Sequence, residues 1–143
     1  MLVLSAGAVL VLGILVAPVI FGSEKYFLEE ILVRSQEGIL MGTIFLNFSK
    51  WLAILTIIIS VFEIYELRVH RDYFALITAV VAVVTALLFY GYYAPTIMQM
   101  LHDSNTLNSA FDSLHKGSEM NAKIMTFAFL ILAWRRALSL RIS

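Results

Sequence analysis

The chain has 143 residues, room for one domain, and is 61% hydrophobic but only 14% charged, with a mean hydropathy of +0.90. A water-soluble fold of this size has too much surface to enclose so much apolar side chain, so lipid is the solvent that fits. Ten basic and ten acidic residues cancel, which excludes the basic footprint of a nucleic-acid binder, and the absence of cysteine excludes disulfides, zinc–thiolate and iron–sulfur centres and thiol catalysis.

In hydrocarbon every backbone N–H and C=O must be paired within the protein, so apolar runs of about 20 residues predict helices. Leu2 to Phe21 is the first, without a charge. It lacks a basic start, and Pro18-Val19-Ile20-Phe21 is a poor cleavage site, so it reads as a span and not as a signal peptide. Ser23 is a plausible N-cap backed by Glu24, and Tyr26, Phe27, Ile31 and Leu32 could form the apolar side of an interfacial segment, with Glu29, Glu30, Arg34 and Glu37 elsewhere on it. An ordinary water-exposed extension of the next helix fits those residues equally well.

A helical pattern runs from about Gly38 to Leu67, longer than a bilayer requires, with Asn47, Ser49 and Lys50 near its middle. Tyr73 onward is the clearest span, aliphatic and alanine-rich from Ala75 to Leu88 and closed by Phe89, Tyr90, Tyr92 and Tyr93 at headgroup level. Asp103 to Asn108 reads as a flexible loop. The fourth span rests on Ile124 to Trp134 and carries Lys123 near its start. The expectation is therefore an all-α, four-transmembrane-helix bundle with spans at approximately 2–21, 39–65, 73–98 and 119–135.

Arg68, Arg71, Arg135, Arg136 and Arg141 fall on one side of such a bundle, against Lys25, Arg34 and Lys116 on the other. The excess of arginine places both termini in the cytoplasm. The ends Ala17-Pro18-Val19-Ile20 and Ala94-Pro95-Thr96-Ile97 match, and each precedes a helix bearing a lysine, Lys50 or Lys123. Two αα-hairpins related by internal duplication would produce this. Each proline leaves a carbonyl without its usual donor, which neighbours or water must satisfy.

Lys50, with Asn47 one turn before it, either lines a polar site or snorkels beside Trp51 to the interface. Lys123, four residues from Glu119, has the same two readings. Phe111, Leu114, His115 and Ser118 share one helical face, and Glu119 lies within hydrogen-bond reach of His115. A histidine there could bind metal, relay protons or sense pH, or simply tie a loop to a neighbouring helix. Met98 and His102 lie four residues apart and could join His115, Met41 and Met120 on a soft copper ion, although methionine is also a common packing residue in membrane cores. Ser5, Ala6, Gly7, Ala8 and Gly13 suit close helix packing. No hydrolase, Walker, zincin or dinucleotide motif occurs, so no enzymatic activity and no cofactor are predicted.

Ala17-Pro18 with Phe21, Gly42 and Phe45, Pro95, and above all Phe111-x-x-Leu114-His115-x-x-Ser118-x-x-Asn121 resemble the bacterial domain of unknown function 4149, a group related to eukaryotic transmembrane protein 205. That resemblance implies a four-helix inner-membrane protein and no particular activity. The functional expectation is an accessory or interaction protein whose partners are lipid and other membrane proteins or its own copies. The competing expectation is small-ligand, copper or haem binding at a polar pocket near Lys50 and His115.

Overall fold

The computed structural model describes residues 2–22, 34–103 and 109–139. Among these residues the fold is all-helical: α1 (Leu2–Phe21), α2 (Arg34–His70), α3 (Tyr73–His102) and α4 (Ser109–Ser139). The expectations for Ser23 to Leu32 and for residues 104–108 fall outside the described residues, as does Arg141.

α2 has 37 residues, about 55 Å of helix against a hydrocarbon core of about 30 Å, so it must tilt or project. It starts before the expected Gly38. Gly38 and Gly42 form a contact surface within it: a Cβ on Gly38 would stand 3.0 Å from one methyl of Leu101, and a Cβ on Gly42 would stand 3.0 Å from the other and 3.1 Å from the Met98 sulfur. Close helix approach through small residues is the usual packing mode in lipid, and here it outweighs the low helix propensity of glycine. Glu37, expected on a water-facing segment, is instead enclosed, at 5% exposure.

α3 presents an alanine stripe, Ala75, Ala79, Ala82 and Ala86, to α2 and α4. Against it lie Leu52, Leu55 and Ile59 of α2 and Met125, Ala128, Phe129 and Leu132 of α4. Phe45 meets Phe89 edge-on, with ring centroids 6.0 Å apart. α4 sits between α3 and α1, and Ala6 is the enclosed residue of α1. The large apolar side chains point the other way, with Trp51, Ile57, Val61, Ile77 and Phe127 all more than 60% exposed. An exterior of this kind inverts the soluble pattern and is compatible with lipid.

Three of the rods, at Leu2–Phe21, Gln36–Val69 and Tyr73–His102, are long and apolar enough to cross a membrane. α4 is not among them, because its uncharged run ends at Lys123 on one side and Arg135 on the other.

α1 and α3 share a local irregularity. Each widens into a π-helical turn, Leu12–Val16 and Phe89–Tyr93, immediately before Ala17-Pro18 and Ala94-Pro95. The Ala17 N–H donates to Leu12 O and the Ala94 N–H to Phe89 O, five residues back in each case. A proline ring clashes with the carbonyl four residues earlier, and the wider turn relieves the clash without breaking the rod.

α2 and α3 meet at Arg71, which adopts a left-handed conformation with φ of 51°. Glycine would hold this position about 1 kcal/mol more cheaply. Asp72 then caps α3, its side chain accepting from the Ala75 N–H at 3.1 Å.

Substituting Gly42→Val should force a branched side chain onto Leu101 and Met98 and cost about 1–3 kcal/mol. The expected result is a lower unfolding midpoint in detergent, partly restored by adding Leu101→Ala. An unchanged midpoint would contradict the α2–α3 contact.

Candidate functional site

Polar side chains occupy three levels of the bundle. At the end opposite the α2–α3 turn, Tyr93 lies over Gly117, where a Cβ would stand 3.2 Å from its ring. Around this contact Tyr92, Ala110, Ser113 and Leu114 complete an open concavity of about 360 Å³. Neither Lys50 nor His115 lines it. His115 is exposed and stacks on Phe111, with ring centroids 6.1 Å apart. The Glu119 carboxylate pairs with Lys123 at 2.8 Å. Ser118 is buried but donates to His115 O of its own helix, at 2.7 Å.

Lys50 points outward and donates to Asn47 Oδ1 at 3.2 Å. The structure therefore places Lys50 with Asn47 and Lys123 with Glu119, each pair on its own exposed surface, and no cavity unites Lys50 with His115 among the described residues. Met98 packs toward Gly42, while His102 and Met120 are exposed and Met41 is buried. Phe111 and Leu114 are half-buried, and Pro18 and Pro95 lie on the exposed sides of their helices.

At mid-height, Asn121 Nδ2 donates across the bundle to Thr85 O at 2.9 Å. The Phe89 N–H, at the entry to the π turn, is shared between Ala86 O and Thr85 O, so the Thr85 carbonyl is under-served by its own helix. Asn121 makes up the deficit. The neighbouring hydroxyls turn back on their own helices: Ser49 to Leu46 O, Thr56 to Leu52 O, Thr85 to Val81 O and Thr126 to Ala122 O. Among the described residues every enclosed side-chain polar atom has a partner.

The turn end holds the densest charge. Arg136 of α4 grips Glu63 of α2 in a two-point fork, through Nε to Oε1 at 3.0 Å and through Nη2 to Oε2, and reaches Glu66 Oε2 at 3.2 Å. The Glu63 side chain is 3% exposed and that of Arg136 12%. The Arg136 guanidinium also lies 5.8 Å from the Phe62 ring centroid. The Glu63 hydrogen bond pushes the Arg136 pKa up against the opposing effect of burial. One residue earlier, Arg135 Nε donates to Asp72 Oδ2 at 2.9 Å. Partial burial alone would raise Asp72, but the Ala75 N–H and the Arg135 guanidinium outweigh it and hold the carboxyl below its ordinary value.

A family model, "Domain of unknown function (DUF4149)", matches residues 1–106. The chain belongs to this family. The DUF4149 match spans α1, α2 and α3 and ends before Phe111, so the Phe111-to-Asn121 pattern lies outside it, and it says nothing of transmembrane protein 205. No curated protein and no solved structure matches the chain. Within this DUF4149 chain, Glu63, Thr85 and Arg136 carry geometry that sequence reading did not assign to them. The available signal was two acids three apart, Glu63 and Glu66, near the end of one long helix, and paired arginines directly after Trp134 in another.

Arg136→Met should leave Glu63 buried without its partner and cost about 3–5 kcal/mol. Arg136→Met with Glu63→Leu should recover most of that loss, measured as unfolding midpoints in one detergent; equal losses for the single and double variants would refute the clamp. Because the folded Asp72 pKa lies below its unfolded value, the stabilisation from this group is complete above the usual carboxylate range and disappears as pH falls through the lowered value. Asp72→Asn should therefore remove that part of the acid dependence, seen as a flatter midpoint-against-pH curve below pH ~5.

Proposed function

We propose that this DUF4149 protein is a non-enzymatic, four-span accessory protein of the bacterial inner membrane, with both termini in the cytoplasm, that works by packing against a membrane partner or its own copies. The observation that carries this reading is the dry centre: alanine, leucine, methionine and phenylalanine fill the bundle, and its hydroxyls are back-bonded. A binding or transport role would call for an enclosed polar space, and Lys50 and His115 point away from the centre.

The fourth span is supported by the outward face of α4, where Met120, Ile124, Phe127, Ile131 and Trp134 are exposed over roughly 22 Å of helix. Its less apolar composition reflects the residues it turns inward, Ser118, Asn121 and Thr126. Parallel duplication of two hairpins is part of this reading, supported by the shared π turn before Ala17-Pro18 and Ala94-Pro95. The competing reading, copper at Met98, His102 and His115 or haem at a polar pocket near Lys50 and His115, predicts purified protein that is coloured or copper-loaded, and that result would displace the accessory role.

The chain has no cysteine, so single introduced thiols report topology cleanly. Asp103→Cys should react with a membrane-impermeant maleimide in intact spheroplasts, and Ser143→Cys only after lysis. Labelling of both from the same side would refute four spans. Co-purification from native membranes should then return a membrane protein, or this chain crosslinked to itself, at fixed stoichiometry.

A further inference from the structure

The turn end carries three acids, Glu63, Glu66 and Asp72, and four described arginines, Arg68, Arg71, Arg135 and Arg136. From sequence these nearly cancel. In the fold they do not, because they are sorted by direction. The acids are turned toward α4, where Arg136 takes Glu63 and Glu66 and Arg135 takes Asp72. Arg68 and Arg71 are exposed and make no ion pair among the described residues. The outward surface of this end is therefore cationic.

Two further observations bear on what that surface meets. Arg71 stands in a left-handed conformation that glycine would adopt more easily, so something other than backbone geometry accounts for an arginine there. Exposed aromatic rings also mark the same level: Tyr65, Tyr73 and Phe74 beside the turn, and Trp134, at 66% exposure, next to the Arg135–Asp72 bridge. Aromatic side chains with one wet and one apolar end settle at the headgroup depth of a bilayer.

We propose that the α2–α3 turn is a binding surface for the phosphate of anionic phospholipid headgroups, held by Arg68 and Arg71. Guanidinium forks match phosphate oxygens in pairs of hydrogen bonds, and a cation at an anionic membrane surface gains affinity that added salt removes. Arg135 and Arg136 keep the carboxylates away from that phosphate and so make the surface selective by charge.

The inference rests on the bilayer-spanning reading, and one experiment separates the two. Trp51→Phe leaves Trp134 as the sole tryptophan of two, placed at the proposed surface. The variant is reconstituted in phosphatidylcholine vesicles containing either brominated phosphatidylglycerol or brominated phosphatidylcholine at the same mole fraction. Both lipids should quench Trp134, and the anionic one more strongly, with a preference of about fivefold per arginine and roughly 25-fold for the pair at low salt. Arg68→Gln with Arg71→Gly should bring that preference to near one while leaving the unfolding midpoint unchanged or higher, since glycine relaxes the turn. Free glycerophosphate should not compete. Equal quenching by the two lipids, or a preference that survives in the double variant, would overturn the lipid site alone. Failure of either brominated lipid to quench Trp134 would overturn the spanning reading as well.

Discussion

A backbone that crosses hydrocarbon has nowhere outside the protein to place its hydrogen bonds, and α1 and α3, two of the three rods long and apolar enough to cross a membrane, each carry a proline, Pro18 and Pro95. Each proline removes a donor and presses on the preceding turn. Both helices answer with a π turn ending at the alanine before the proline. In α3 the widening begins at Phe89, where one N–H serves two carbonyls, and this is where Asn121 crosses from α4 to Thr85 O. A polar residue that looks out of place in the fourth helix is thus the remedy for a backbone irregularity in the third. The same widening sets the neighbouring contacts, with Phe89 against Phe45 and Tyr93 over Gly117.

Small residues let the rods approach closely enough for that remedy to reach. The alanine stripe of α3 leaves no side chain to hold α2 and α4 apart, and the two glycines of α2 seat Leu101. Water contributes no hydrophobic drive between helices in lipid, so packing at short range and a few interhelical hydrogen bonds must hold the bundle. The Asn121 bond at mid-height and the Arg136 fork at the turn end join α4 to α3 and to α2 respectively. α3 is the rod packed along both α2 and α4, and these two polar contacts tie α4, the least apolar rod, to its neighbours.

Much of this fold was legible because long apolar runs have one physical solution in a bilayer. The three most apolar stretches, Leu2–Phe21, the helix through Leu52 and Ile59, and the one from Tyr73, are helices at the expected places. The start of α2 was missed by about one turn: the helix begins at Arg34, and Gly38 and Gly42 lie inside it against Leu101. The site was harder to read for a different reason. Lys50 drew notice as a charge inside an apolar run and His115 for sharing a helical face with Phe111, Leu114 and Ser118, but periodicity alone cannot say whether such a face turns inward. In the fold both point outward. Glu63 and Arg136 were not legible as a pair because each sits at the end of an apolar run, where charge is ordinary; only the three-dimensional pairing, 73 residues apart in the chain, makes them unusual.

The pairing also explains how a chain of zero formal charge presents a charged end to its surroundings. An acid that stays in water cancels a neighbouring arginine for any ligand at that surface, because both are screened alike. An acid enclosed at 3% exposure and forked by its own arginine is removed from that sum, and so is the arginine. Net charge counted along a sequence therefore misstates the field of a folded helix end whenever pairing is selective. Here the selection runs by helix: the acids of α2 and the turn go to the consecutive arginines of α4, and the arginines nearest the turn are left outward. Moving Asp72 out of its capping position would undo this twice over, freeing its carboxylate to meet Arg71 and loosening the start of α3. The cap, the left-handed Arg71 and the outward cationic surface are three consequences of one short connection.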